Sequence, residues 1–170
     1  GAGPGKGDGP GDEAGPNRGR GTGNRYRNIN PTWSPDGRSP AYTSYRRGAP
    51  DIFISMIYQG TIENPLHSKG EENFLPVWSP DGTKIAFVSN RTGNDEIFVM
   101  NADGSGQTDI SNNAARDDAP NWSADGSPIT FVSRRTGNDD VYSMKPDGSS
   151  VKQPTQSTAP DAAPTIAHDR

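Results

Sequence analysis

A chain of 170 residues with 28% hydrophobic residues and a mean hydropathy of −0.91 is too polar to pack along its whole length. Its formal net charge of −4 and pI near 5.1 exclude a general nucleic-acid or anionic-membrane surface. The lack of cysteine excludes disulfides and thiolate metal sites, and no apolar run approaches the about 20 residues of a membrane-spanning helix.

Residues 1–27 open with glycine at every second position from Gly1 to Gly11, and ten of the chain's 21 glycines fall in the first 23 residues. That spacing excludes a collagen helix, which needs glycine at every third position. Up to Asn24 no hydrophobic residue is larger than alanine, so burial cannot offset ordering entropy and a flexible leader is expected. Arg18, Arg20, Arg25 and Arg27 surround Tyr26, but a single aromatic residue makes a poor base-stacking platform, and a solvated linker is the better reading. Gly1-Ala-Gly-Pro4 has neither a basic segment nor an apolar core, so no signal peptide is expected in these residues.

From residue 28 the chain states one phrase three times. The cleanest copy reads Trp78-Ser-Pro-Asp-Gly82, Ile85-Ala-Phe-Val-Ser89, Arg91-Thr-Gly93, Glu96-Ile-Phe98 and Asn101-Ala-Asp-Gly-Ser105. Trp33, Trp78 and Trp122 set a period of 45 and then 44 residues. A period of that size, with several short strands in each unit, marks propeller blades.

The first repeat (28–70) predicts strands at Pro31–Ser34, Ala41–Ser44 and Asp51–Met56, with a weak fourth near Thr61–Leu66. Asp36-Gly37 supplies a tight reversal, because glycine accepts positive φ without a Cβ clash. Pro40 stands where the second repeat has Ile85; losing a ladder donor and a packing side chain together predicts a frayed or bulged strand there. The second repeat (71–115) predicts Phe74–Ser79, Lys84–Ser89, Glu96–Asn101 and Gln107–Ser111, apolar on both faces as strands sandwiched between blades must be. The third (116–155) predicts Asn121–Ser123, Ile129–Ser133 and Val141–Met144, and a poor fourth strand in which Pro154 replaces Ile110. Residues 156–170 are small, polar and Pro/Ala-rich, which predicts a disordered tail. The fold class expected is all-β: three four-stranded antiparallel blades between disordered ends, forming a partial ring or, by dimerisation, half of a six-bladed one.

These motifs, in this order and spacing over about residues 28–150, resemble the TolB-like β-propeller repeat. The resemblance implies a periplasmic or extracellular, non-enzymatic protein-binding module of an envelope or exported protein. TolB proteins carry a six-bladed propeller that binds the lipoprotein Pal, so a Pal-type lipoprotein is the implied partner. Similar repeats also occur in the propellers of prolyl-oligopeptidase-type and tricorn-type peptidases, which leaves a propeller without its catalytic domain as an alternative. A third reading is a self-assembling, fibre-forming structural protein. Three blades are too few to close a ring, since propellers have about four to eight; either the chain is a piece of a longer propeller, or two copies pair, and such self-association would cover open edges that otherwise invite aggregation.

Position within the repeat sorts the candidate residues. Trp33, Trp78 and Trp122 occupy equivalent first-strand positions, where packing between blades outweighs sugar stacking. Asp36, Asp81 and Asp125 precede glycine and are explained by turn chemistry. Arg46, Arg91 and Arg135 recur five residues before Asp51, Glu96 and Asp140, which predicts a salt bridge across each second hairpin; three arginines in register could instead ring one face and take a carboxylate or phosphate. Between repeats the segment leading into the first strand varies most: Asn28 and Asn30; Glu71, Glu72 and Asn73; Arg116, Asp117 and Asp118. In a propeller that loop lies at the mouth of the central channel, so these residues are the candidate binding set. Their acidic cluster lacks EF-hand spacing, and solvated charge is a better reading than a calcium site. No metal and no cofactor are expected. For catalysis there are only His67 and His168, no Gly-x-Ser-x-Gly elbow and no cysteine nucleophile, so no enzyme is expected.

Overall fold

The computed structural model describes residues 27–63, 66 and 70–155. The leader up to Tyr26, the tail over 156–170 and both histidines lie outside the described residues. Eleven strands and no helix are present among the described residues: β1 Asn28–Trp33, β2 Pro40–Arg47, β3 Ala49–Met56, β4 Thr61–Glu63, β5 Asn73–Trp78, β6 Lys84–Ser89, β7 Glu96–Asn101, β8 Thr108–Asp109, β9 Asp117–Trp122, β10 Ile129–Ser133 and β11 Asp140–Met144. They form three antiparallel meanders, β1-β2-β3-β4, β5-β6-β7-β8 and β9-β10-β11, one per repeat. Each is a propeller blade.

The third blade has the poor fourth strand expected of it. Its fourth is reduced to one bridge between Ser143 and Lys152, since Pro154 has no N–H to extend the ladder. Pro40 is better tolerated than expected. It opens β2 opposite Trp33, and the irregularity of that pair falls further along, between Ile29 and Thr32. At the first residue of a strand a missing donor costs little.

The two-sided apolar pattern of the middle blade decides where the core lies. Ile85, Phe87, Phe98 and Met100 pack with Trp78 against Ile52 and Ile54 of the first blade. The alternate residues Ala86, Val88, Ile97 and Val99 pack against Trp122, Ile129, Phe131 and Met144 of the third. Strand period two therefore sends neighbouring side chains into opposite junctions, and the core is two inter-blade layers rather than one centre.

Each first hairpin is closed by the same device. Ser34, Ser79 and Ser123 donate through Oγ to Asp36, Asp81 and Asp125 at 2.6 Å, and the carboxylates also take the N–H of Arg38, Thr83 and Ser127 at 3.0, 3.0 and 2.9 Å. The serine hydrogen bond, then the backbone one, holds all three acids below the usual carboxylate range, Asp81 at about 2. The Asp147-Gly148 turn has a further constraint. Gly148 has φ 82°, and a Cβ there would meet the Ile110 carbonyl oxygen of the middle blade at 2.5 Å. Gly148→Ala is expected to cost about 1–3 kcal/mol by urea denaturation, from left-handed strain plus forced displacement of the Ile110 backbone. Gly137→Ala, also at positive φ but with nothing within 4 Å, isolates the strain and should cost less.

Candidate functional site

The first strands β1, β5 and β9 converge on a groove of about 300 Å³ lined by residues such as Asn30, Pro31, Leu75, Pro76, Ala119 and Asn121. All three carry a bulge at the same place. Asn30, Leu75 and Ala119 each have φ 52°, each precedes a proline, and register is lost at that point in all three pairs. A non-glycine residue in this region costs about 1–2 kcal/mol. Proline, which needs no ladder donor, is at home in a bulge. The Leu75 N–H freed by the bulge donates to Thr43 Oγ1 of the preceding blade at 3.2 Å.

Beyond the bulges pairing resumes, with Asn73 opposite Ser89 and Asp117 opposite Ser133. Asn28, Asn30, Asn73, Asp117 and Asp118 therefore stand inside first strands and not, as expected, in a loop before them. Their polar side chains hid the strand ends, because pairing uses the backbone. Only Glu71, Glu72 and Arg116 precede a strand. Asn73 and Asp117 are fully buried. Arg116 ties Asp95 at 2.8 Å to Asp118 at 2.6 Å. Glu72 accepts from Asn90 Nδ2 at 3.4 Å. Asn28, Asn30, Glu71, Glu72 and Arg116 are exposed, and they are the accessible part of the predicted set.

The repeated arginines work differently from the expectation. Nε of Arg46, Arg91 and Arg135 donates to Ser44, Ser89 and Ser133 at 3.2, 2.9 and 2.9 Å. The guanidinium centres lie 4.3, 4.7 and 4.6 Å from the rings of Phe53, Phe98 and Tyr142, a cation–π arrangement. Nη2 then bonds Tyr42 Oη at 3.1 Å, Asn73 Oδ1 at 2.9 Å and Asp117 Oδ2 at 3.0 Å, respectively. Burial lowers the pKa of Arg91, and the charges of Glu71 and Asp51 oppose that shift.

Among the described residues none of the ion pairs joins Arg46 to Asp51, Arg91 to Glu96 or Arg135 to Asp140. Those acids are buried and bonded elsewhere, although Asp140 Oδ1 has no hydrogen-bond partner among the described residues. Asp51 Oδ1 accepts from Asn73 Nδ2 of the next blade at 3.1 Å. Glu96 is held by Ser111 Oγ, by Asn94 Nδ2 at 2.7 Å and by the Asn113 N–H at 3.2 Å. Asp140 accepts from Thr136 Oγ1 and from Gln153 Nε2 at 3.0 Å. Burial raises the pKa of both Glu96 and Asp117, and the Asp117 charge adds to the rise at Glu96.

The tryptophans divide as well. Trp78 and Trp122 are 9% and 6% exposed in the inter-blade layers, whereas Trp33 is 56% exposed. Trp122 Nε1 donates to the Val77 carbonyl of the middle blade at 3.1 Å. A larger cavity of about 520 Å³ lies on the first blade beside Asp36, Arg38, Met56 and Tyr58, away from the converging strands. Among the described residues no group of three or more histidine, aspartate or glutamate side chains is placed to hold a metal ion.

With this geometry, the comparisons with known proteins agree. The family model described as "TolB beta propeller domain" matches residues 11–170. The Tol-Pal system protein TolB of Desulfosudis oleivorans is 49% identical over 37 residues, 21% of this chain and 8% of that protein. The solved structure of a putative TolB from Agrobacterium tumefaciens superposes with a TM-score of 0.69 at 32% identity, over 75% of this chain and 48% of that one. TolB from Acinetobacter baumannii gives 0.69 at 28% identity, over 81% and 34%. The chain thus spans about half or less of the length of these relatives. Three meanders with Trp-Ser-Pro/Ala-Asp-Gly hairpins, bulged first strands and this family match have one reading: the chain belongs to the TolB β-propeller domain family.

Proposed function

We propose that this chain is a non-enzymatic protein-binding propeller module of an envelope or exported protein, located in the periplasm or outside the cell. In this reading it acts as a scaffold whose partner is a Pal-type lipoprotein, engaged at the rim above the converging first strands. The carrying observation is family membership together with an exposed polar rim at Asn28, Glu71, Glu72 and Arg116. The Tol-Pal name of the curated relative supports the partner class. The sequence supports the non-enzymatic part, having two histidines, no cysteine and no nucleophile elbow. Self-association belongs to the same reading.

Titration calorimetry with the soluble domain of a Pal-type lipoprotein tests the partner. Saturable binding is expected, weakened about tenfold by the charge reversals Glu72→Lys and Arg116→Glu, since rim charges tune encounter and complementarity. No heat of binding by a folded sample would overturn the reading.

A further inference from the structure

The two internal blade junctions use equivalent positions with different chemistry. Asn73 pairs with Ser89 and Asp117 with Ser133, while Asp51 and Glu96 stand opposite Ser44 and Ser89. Where the first and second blades meet, an amide faces an acid, and Asn73 Nδ2 donates to Asp51 Oδ1 at 3.1 Å. Where the second and third meet, Asp117 takes the Asn73 position and Glu96 the Asp51 position. The side chain that supplied the N–H is now a second carboxylate.

Glu96 is 2% exposed and Asp117 0%. Asp117 Oδ2 accepts from Arg135 Nη2 at 3.0 Å, but Oδ1 has no hydrogen-bond partner among the described residues. A buried carboxylate oxygen in that state is costly and signals a missing donor. Ser111 reaches both acids. Its Oγ is hydrogen-bonded to Glu96 Oε2 and accepts from the Ile97 N–H at 2.8 Å. Burial raises the pKa of Asp117, and the Ser133 and Ser111 hydroxyls stand near enough to oppose that rise. The neighbouring charges are turned elsewhere: Arg91 to Asn73 Oδ1, and Arg116 to Asp95 and Asp118. Arg135 is the one cation ion-paired to either acid among the described residues.

We propose that the missing donor is a proton, bound between the second and third blades by a relay of Glu96, Ser111 and Asp117. Arg135 keeps Asp117 the ionised member, so the proton sits on Glu96 Oε2 and is donated to Ser111 Oγ. The Ser111 hydroxyl hydrogen then turns from Glu96 to Asp117 Oδ1. Asp117 Oδ1 gains its donor, and the two acids with Arg135 sum to zero charge. When the proton leaves to solvent, Ser111 turns back, Oδ1 is orphaned and two carboxylates share one buried junction. The linker between the blades feels the change. Glu96 accepts from the Asn113 N–H at 3.2 Å, and Asn94 bonds Glu96 together with the Asn113 and Ala115 carbonyls at 3.1 and 2.9 Å. Arg116 of the rim follows directly. The junction is thus a latch on this linker, closed while protonated and loosened as pH rises through the folded pKa. This inference rests on the internal junction and not on the identity of any partner.

Carbon-13 NMR of the carboxyl groups in the full chain reads the proton directly. Glu96 is expected to stay protonated well above its ordinary value of 4.5, titrating with Asp117 as a coupled pair. In Asp117→Asn, whose amide supplies a donor as Asn73 does, Glu96 should fall back toward the ordinary range. Hydrogen exchange gives a second readout. Protection of the Asn113 amide should drop about tenfold per pH unit once the proton is lost. Glu96→Gln, a lasting mimic of the protonated acid, should hold that protection constant. Both acids titrating at or below their ordinary values overturns the proposal, as does an Asn113 protection equally pH-dependent in Glu96→Gln.

Discussion

Replacing Phe87 with alanine is expected to lower the free energy of unfolding by about 3–5 kcal/mol, the range for truncating a fully buried aromatic side chain. Phe87 has no solvent exposure and sits in the layer between the first and second blades with Ile52, Ile54 and Trp78. Its ring lies 5.7 Å from that of Phe98 and 5.7 Å from the Arg91 guanidinium. The loss is therefore larger than transfer alone: a cavity opens, an aromatic pair is broken, and the cation loses one of its two rings. Because each blade touches only its neighbours, the damage should be local to one junction. Urea denaturation followed by circular dichroism is expected to show an early transition for the uncoupled first blade and a later one for the second and third. A single transition shifted by less than about 1 kcal/mol would mean that this layer is not what couples the blades.

Much of this arrangement is legible from residue order. Ile85-Ala-Phe-Val and Ile97-Phe-Val-Met announce strands buried on both sides, and the tryptophan period separates the blades. What was not legible involves partners distant in sequence. The first strands extend into Asn28-Ile-Asn and Asp117-Asp118 because backbone pairing does not depend on apolar side chains. The arginine five residues before an acid suggested a hairpin ion pair; instead the guanidinium lies over a third-strand ring, and the acid takes donors from the linker or the next blade. Equivalent tryptophans share a motif but not an environment, since Trp78 and Trp122 lie in inter-blade layers and Trp33 is exposed.

Arg135→Met is expected to destabilise the chain by about 3–5 kcal/mol at pH 7, the usual cost of leaving one partner of a buried ion pair alone. Arg135 bonds Asp117 at 3.0 Å and covers the Tyr142 ring, and methionine keeps part of the apolar stem while removing the charge. Asp117 is fully buried, its Oδ1 has no hydrogen-bond partner among the described residues, and its charge is felt by Glu96. Without the guanidinium the buried Asp117 loses its ion-pair partner and keeps the neighbouring charge of Glu96. The pH dependence follows from the direction of the shifts. Burial raises the folded pKa of Asp117 above 3.8 and that of Glu96 above 4.5. The native state then holds protons that the unfolded chain has released, so stability from these groups is full below the unfolded values and is lost as pH rises through the folded ones. The Arg135→Met deficit should accordingly be greatest near neutrality and shrink as pH falls toward about 4.5. The hairpin aspartates run the other way. Asp81, held at about 2, contributes stability above its unfolded value of 3.8 that disappears only in stronger acid. Adding Asp117→Asn to Arg135→Met should recover most of the loss at pH 7, because the middle blade already uses Asn73 here, bonded to both Asp51 and Arg91. Unfolding midpoints of the four proteins of this cycle at pH 7 and pH 4.5 measure the coupling. Equal deficits at the two pH values, or no recovery in the double variant, would remove the buried carboxylates from the explanation.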